Sequence, residues 1–225
     1  MFDRRAFMGG LAMLGVSGLA GCSTGGGARV TLDNEPLNVG STPNLAELMK
    51  EGPLGDKALG RPDAPVTIVE YVSLTCPYSR KFYLETYAQL KKDYIDQGKV
   101  RFIIREFPIG RSAAAAAVVT RAAPDNQYFT LYEKFLVQQG EWTSQEVRPD
   151  AIYKIAVQVG MSRETFDSNM ADQTIIDGLI SVKQRGREFG VSGTPTFFIN
   201  GKKIRGALSY DEIKSLIEPQ RGHRA

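Results

Sequence analysis

The chain has 225 residues, 42% hydrophobic and 24% charged, which suits one good-sized domain or two small ones and excludes a disordered or collagen-like polymer. A net charge of +3 is too weak to argue for a nucleic-acid partner. The single histidine, His223, stands near the end of the chain and there are two cysteines, so a Ser-His-Asp machine, a multi-His or Cys-rich metal site and a disulfide framework are all excluded.

The first residues read as an address. Arg4-Arg5 precedes a weakly apolar, glycine-containing run from Ala6 to Ala20, too short to cross a bilayer comfortably. The run meets Leu19-Ala20-Gly21-Cys22, which resembles a bacterial lipobox, and the paired arginines resemble a twin-arginine export signal. Residues 1–21 are thus expected to be an export signal, with Cys22 the acylated first residue of the mature chain. The alternative is a plain signal peptide or an uncleaved anchor.

Residues 22–58 read as a flexible tether with one short helix. Ser23-Thr24-Gly25-Gly26-Gly27 is flexible by composition. A helix is expected through about Lys50, with Thr42 as N-cap and Pro43 in its first position. The folded body is expected to begin near Leu59 and to extend through residue 221.

Val66 to Ser73 is β-branched and almost continuously apolar, as a strand buried on both faces should be. From Cys76 or Pro77 to Gln97 the apolar residues Phe82, Tyr83, Tyr87, Leu90, Tyr94 and Ile95 recur at helical spacing, and Gly98 ends the run. Val100 to Phe107 predicts a second strand. Helical patterns then fill about 111–189: Ser112–Ala122, Gln127–Gln139, Pro149–Val159, Arg163–Met170 and Thr174–Phe189. Ala113 to Ala117 and the stripe Tyr128, Phe129, Tyr132, Phe135 are expected in the core, with Trp142 in a loop as a surface cap. Thr196–Ile199 and Lys203–Ala207 flank Asn200-Gly201, a hairpin signal, with Lys202 and Lys203 solvated. Ser209 and Glu212 predict a capping box on a final helix to Ile217. The sum is an α/β domain: a mixed central sheet, helices on both faces and an inserted helical subdomain.

The chemistry gathers at one thiol. Once Cys22 is acylated or removed, Cys76 alone remains. It stands where the first strand meets the first helix, in Thr75-Cys76-Pro77-Tyr78-Ser79. Unpaired N–H groups and the positive end of the helix dipole favour the nucleophilic thiolate there. Pro77 fits the first helical turn because its missing N–H needs no partner. Ser79 is placed to hydrogen-bond the thiolate but cannot close a disulfide.

Arg61-Pro62-Asp63-Ala64-Pro65-Val66, Val69-Glu70-Tyr71, Cys76-Pro77-Tyr78-Ser79 and the run Gly190 to Gly201 around Thr194-Pro195 together resemble the DsbA-like branch of the thioredoxin superfamily. The likeness covers about Leu59 to Glu218. It implies a thioredoxin-like fold, Cys76 as nucleophile, a cis Thr194-Pro195 bond beside it, and substrate peptide pairing with the backbone before that proline. Pro77 and Tyr78 flank the same groove. Glu70 matches the buried acid beneath the family's active site, which relays a proton and opposes thiolate formation by like charge. The competing role for Glu70 is an ion pair with Arg101 or Arg105.

One departure matters. The family pattern is Cys-x-x-Cys, and here the last position is Ser79. Tyr78 also replaces a histidine found in well-known members. Without an internal disulfide, Cys76 must form mixed disulfides that an external thiol resolves. The expected function is thiol–disulfide exchange with cysteine-containing envelope proteins or small thiols. The expected setting is the periplasmic side of the envelope, as a lipid-anchored monomer without metal or cofactor. The alternative is a redox-inactive peptide-binding or chaperone module. A thiol peroxidase fits poorly, since only Ser73 loosely supplies its hydroxyl.

Overall fold

The computed structural model describes residues 43–218. Arg4, Arg5, Cys22 and Thr42 lie outside the described residues. Five strands form one mixed sheet: β1 (Lys57–Leu59), β2 (Val66–Val72), β3 (Val100–Glu106), β4 (Thr196–Ile199) and β5 (Lys202–Arg205), in the order β1-β3-β2-β4-β5. Only β2 and β3 run parallel, and their neighbours pair antiparallel.

The helix expected after Cys76 is α2 (Pro77–Phe82). It continues through a π-helical turn (Tyr83–Tyr87), α3 (Ala88–Leu90) and a second π turn (Lys91–Ile95). Between β3 and β4 lie α4 (Arg111–Arg121), α5 (Asp125–Val137), α6 (Gln139–Trp142), α7 (Pro149–Ala156), α8 (Arg163–Met170) and α9 (Gln173–Glu188). The last helix, α10 (Tyr210–Ile217), carries the capping box of Ser209 and Glu212.

Side chains alternate across each strand, so the sheet has two apolar faces. On one, Ile68, Val72, Phe102, Ile104 and Phe197 pack with Phe82, Leu90, Ile213 and the inserted helices. On the other, Val69, Tyr71, Ile103 and Phe198 pack with Leu48 and Val182. Asn200 (φ 48°) and Gly201 (φ 86°) both take positive φ, as the twist of a tight hairpin requires.

Four local expectations are corrected. The first helix, α1 (Leu45–Met49), begins after Asn44, whose Oδ1 accepts from the Ala46 N–H, so Pro43 precedes the helix. Strand β1 precedes the expected start at Leu59, pairing Lys57 with Ile104 and Leu59 with Phe102. Trp142 is fully buried in α6, because its Nε1–H reaches the Phe135 carbonyl at 2.8 Å and its ring packs edge-on against Phe135. Lys203 is half-buried and donates to the carbonyls of Phe189 and Gly190.

Three arginines tie residues 47–55 to the body. Arg105 pairs with Asp56 at 2.9 Å and donates to the carbonyls of Leu48 and Lys50. Arg121 donates to those of Leu54 and Gly55, and Arg185 to those of Glu47, Lys50 and Glu51.

Candidate active site

β2 ends at Val72, and the chain turns through Ser73–Cys76 before Pro77 starts α2. Cys76 is the N-cap, with extended dihedrals, and Pro77 occupies the first turn. The Cys76 N–H donates to Ser73 O at 3.0 Å. The thiol is partly exposed. Pro77 and Tyr78 beside it are exposed, Tyr78 to 52%.

β4 lies next to β2, which brings the loop before β4 against this turn. The Thr194-Pro195 bond in that loop is cis. Cys76 Sγ donates to the Thr194 carbonyl at 3.1 Å. The structure therefore brings Cys76, Pro77, Thr194 and Pro195 together at one place. Thr194 Oγ1 is buried without a partner.

Ser79 is buried, one turn into α2, and its Oγ has no hydrogen-bond partner among the protein atoms. The expected bond from Ser79 to the sulfur is not formed. The sulfur's bond goes to the Thr194 carbonyl instead.

Glu70 is 1% exposed and sits in register with Ile104 and Phe197 on the face shared with Ile68 and Val72. The alternative ion pair is overturned. Arg101 and Arg105 alternate with Ile104 along β3 and so project to the opposite face, where Arg105 binds Asp56. Glu70 Oε1 has no partner, and burial pushes the carboxyl up to about 8. Burial thus favours the neutral form of this carboxyl at pH 7.

Sequence reasoning missed Gln139. Its side chain is buried, and its Nε2 donates to Leu74 O at 2.7 Å and Cys76 O at 3.1 Å. Nothing local marks it, because its partners lie 63 and 65 residues earlier. Ser73 Oγ accepts from the Ile109 N–H at 3.1 Å, which ties the neighbouring loop to the turn. Among the described residues, no group of three or more His, Cys, Asp or Glu is placed to hold a metal ion.

A thiol at a helix N-cap after one strand of a mixed five-stranded sheet, facing the residue before a cis-proline that leads into the neighbouring strand, is the arrangement of a thioredoxin-fold protein. Comparison with known proteins agrees. The family model described as Thioredoxin matches residues 54–219. Disulfide bond formation protein D of Bacillus subtilis is 28% identical over 172 residues, covering 74% of this chain and 77% of the relative. The "Putative protein-disulfide oxidoreductase RC0029" of Rickettsia conorii is 30% identical over 167 residues, which is 72% of this chain but 59% of the relative. The crystal structure of Wolbachia pipientis alpha-DsbA1 superposes with a TM-score of 0.70 at 26% identity, over 77% of this chain and 94% of that one. The chain belongs to the thioredoxin family, in its DsbA-like branch.

Proposed function

We propose that this chain is an exported thiol:disulfide exchange protein that works through Cys76 alone. One observation carries the reading. A partly exposed sulfur sits at a helix N-cap, 3.1 Å from the carbonyl before a cis-proline, with a serine where a second thiol would resolve it. The names of the relatives, disulfide bond formation protein D and a protein-disulfide oxidoreductase, support thiol–disulfide chemistry.

The Cys76 thiolate attacks one sulfur of a substrate disulfide. A Cys76–substrate S–S bond forms, the old S–S bond breaks, and the leaving thiolate takes a proton. An external thiol then attacks the mixed disulfide and frees Cys76. One disulfide is consumed and one is made, so the cycle shuffles partners without net oxidation. Protonated Glu70 is a proton source beneath the site. Pro77, Tyr78 and the Thr194 backbone hold the substrate chain. Ser79 leaves the mixed disulfide without an internal competitor.

The substrates are cysteine-containing envelope proteins or small thiols. Cys22 supplies a lipid anchor on the periplasmic side of the envelope, and the body acts as a monomer. The anchor and the export rest on the lipobox-like and paired-arginine motifs, and the monomer on the short span between Cys22 and the body, too short for a separate dimerisation domain.

The test uses the full chain with Cys22→Ser, so that Cys76 is its only thiol. Incubation with a peptide disulfide should give a Cys76-linked adduct by mass spectrometry, discharged by added glutathione and absent in Cys76→Ser. A folded chain that forms no adduct, yet binds the peptide equally with Cys76→Ser, returns the protein to the class of redox-inactive peptide binders.

A further inference from the structure

The turn that carries Cys76 has left the sheet ladder, so its carbonyls need other donors. Leu74 is buried, which denies water to its carbonyl. One amide nitrogen carries two hydrogens, and Gln139 Nε2 gives one to Leu74 O and one to Cys76 O. The Cys76 carbonyl also accepts the first helical bond, from the Arg80 N–H at 3.1 Å. Gln139 thus grips the residue that bears the nucleophile at the point where its backbone turns into α2.

Gln139 is itself held from both sides. It opens α6, a helix of four residues that has no stability of its own. Trp142, at the other end of α6, is anchored on the Phe135 carbonyl and ring. Gln138, just before it, exchanges two amide bonds with Gln158, at 2.9 and 2.8 Å. Burying a free glutamine costs rotamer entropy. These anchors on either side fix the backbone from which the Gln139 side chain reaches the turn.

We infer that Gln139 is a positioning residue for Cys76, through which the inserted helices set the reactivity of the thiol. The inference builds on the exchange reading above. A purely apolar contact would fill the same space but would orphan the Leu74 carbonyl and release the Cys76 carbonyl. The sulfur would then lose its fixed direction toward the Thr194 carbonyl.

The test compares alkylation of Cys76 by iodoacetamide, from pH 5 to 9, in the full Cys22→Ser chain and its Gln139→Ala and Gln139→Glu variants. Circular dichroism sets a temperature at which each is folded. Ser209→Ala, which removes the cap of α10, is the control for general destabilisation. Gln139→Ala should slow alkylation about tenfold, the scale of a lost positioning contact. In Gln139→Glu, which keeps the shape, a protonated carboxyl still donates one bond, whereas a carboxylate faces two carbonyl oxygens. Its rate relative to the parent should therefore fall as pH rises. If Gln139→Ala does not fold, this pH trend decides. Rates within twofold of the parent at every pH, as in the control, overturn the inference. A parent chain that alkylates when folded but forms no mixed disulfide sinks the exchange reading instead, and leaves the role of Gln139 to the alkylation ratios.

Discussion

Cys76 Sγ and the Thr194 carbonyl meet at 3.1 Å across 118 residues of sequence. The contact follows from the sheet. β2 leads into Cys76, β4 follows Pro195, and the two strands are hydrogen-bonded neighbours. In the thiol form the sulfur occupies the carbonyl that borders the cis-proline. On the proposed mechanism, entry into a mixed disulfide would remove that S–H donor and leave the carbonyl open to another donor.

Ser79→Cys should convert the site to a dithiol. In the Cys22→Ser chain, thiol titration should find two groups after reduction and none after mild oxidation. The oxidised variant should then oxidise a dithiol peptide one-for-one, and the parent none. Two thiols that stay free under oxidation would show that position 79 cannot reach the sulfur.

Glu70 sets a pH dependence of stability. Its folded value, about 8, lies above the ordinary 4.5. Below pH 4.5 both states hold the proton and stability is complete. Between pH 4.5 and 8 the unfolded state releases it first, so stability falls as pH rises, by up to about 1.4 kcal/mol per unit. Denaturant melts of the parent should lose midpoint across this window, and Glu70→Gln should be flatter and more stable at pH 8. A parallel decline in both proteins would place the effect elsewhere.

Glu106 and Arg121 form a buried pair at 2.6 Å, both side chains 3% exposed, and Tyr128 Oη donates to the same carboxylate. Glu106→Gln leaves the guanidinium buried without its counter-charge. The cost should be about 3–5 kcal/mol, read as a lowered urea midpoint. A change under about 1 kcal/mol would mean that water enters and screens the arginine.

Gly186 lies in α9 against two rings. A Cβ there would come within 2.8 Å of Tyr71 and 3.1 Å of Phe107. Gly186→Ala gains about 1 kcal/mol of helix propensity. Overpacking against rigid rings costs about 1–3 kcal/mol, so the variant should melt lower. A higher melting temperature would show that the helix shifts away freely.

The parts of the fold written in short-range pattern were readable. β2 and β3 appear as β-branched runs, α10 as a capping box, and the start of α2 as Cys-Pro at a strand–helix junction. What escaped depends on partners far along the chain. β1 has three residues, too few to show a period. Trp142 looks like a loop residue until Phe135 supplies its acceptor. Glu70 and Arg105 look like an ion pair on adjacent strands until the register places them on opposite faces. Gln139 has no motif at all, since its only signature is two carbonyls that the sheet leaves unpaired. The π turns after Phe82 left the apolar spacing close enough to helical to hide them.

The arginine ties on residues 47–55 have a mechanical side. Six backbone carbonyls, from Glu47 to Gly55, are bonded by guanidiniums from β3, α4 and α9. Force entering the described residues from their N-terminal end meets this set of charge-assisted bonds before it reaches β1. The load passes to three separate elements of the body, and the short edge strand is shielded from being peeled off the sheet.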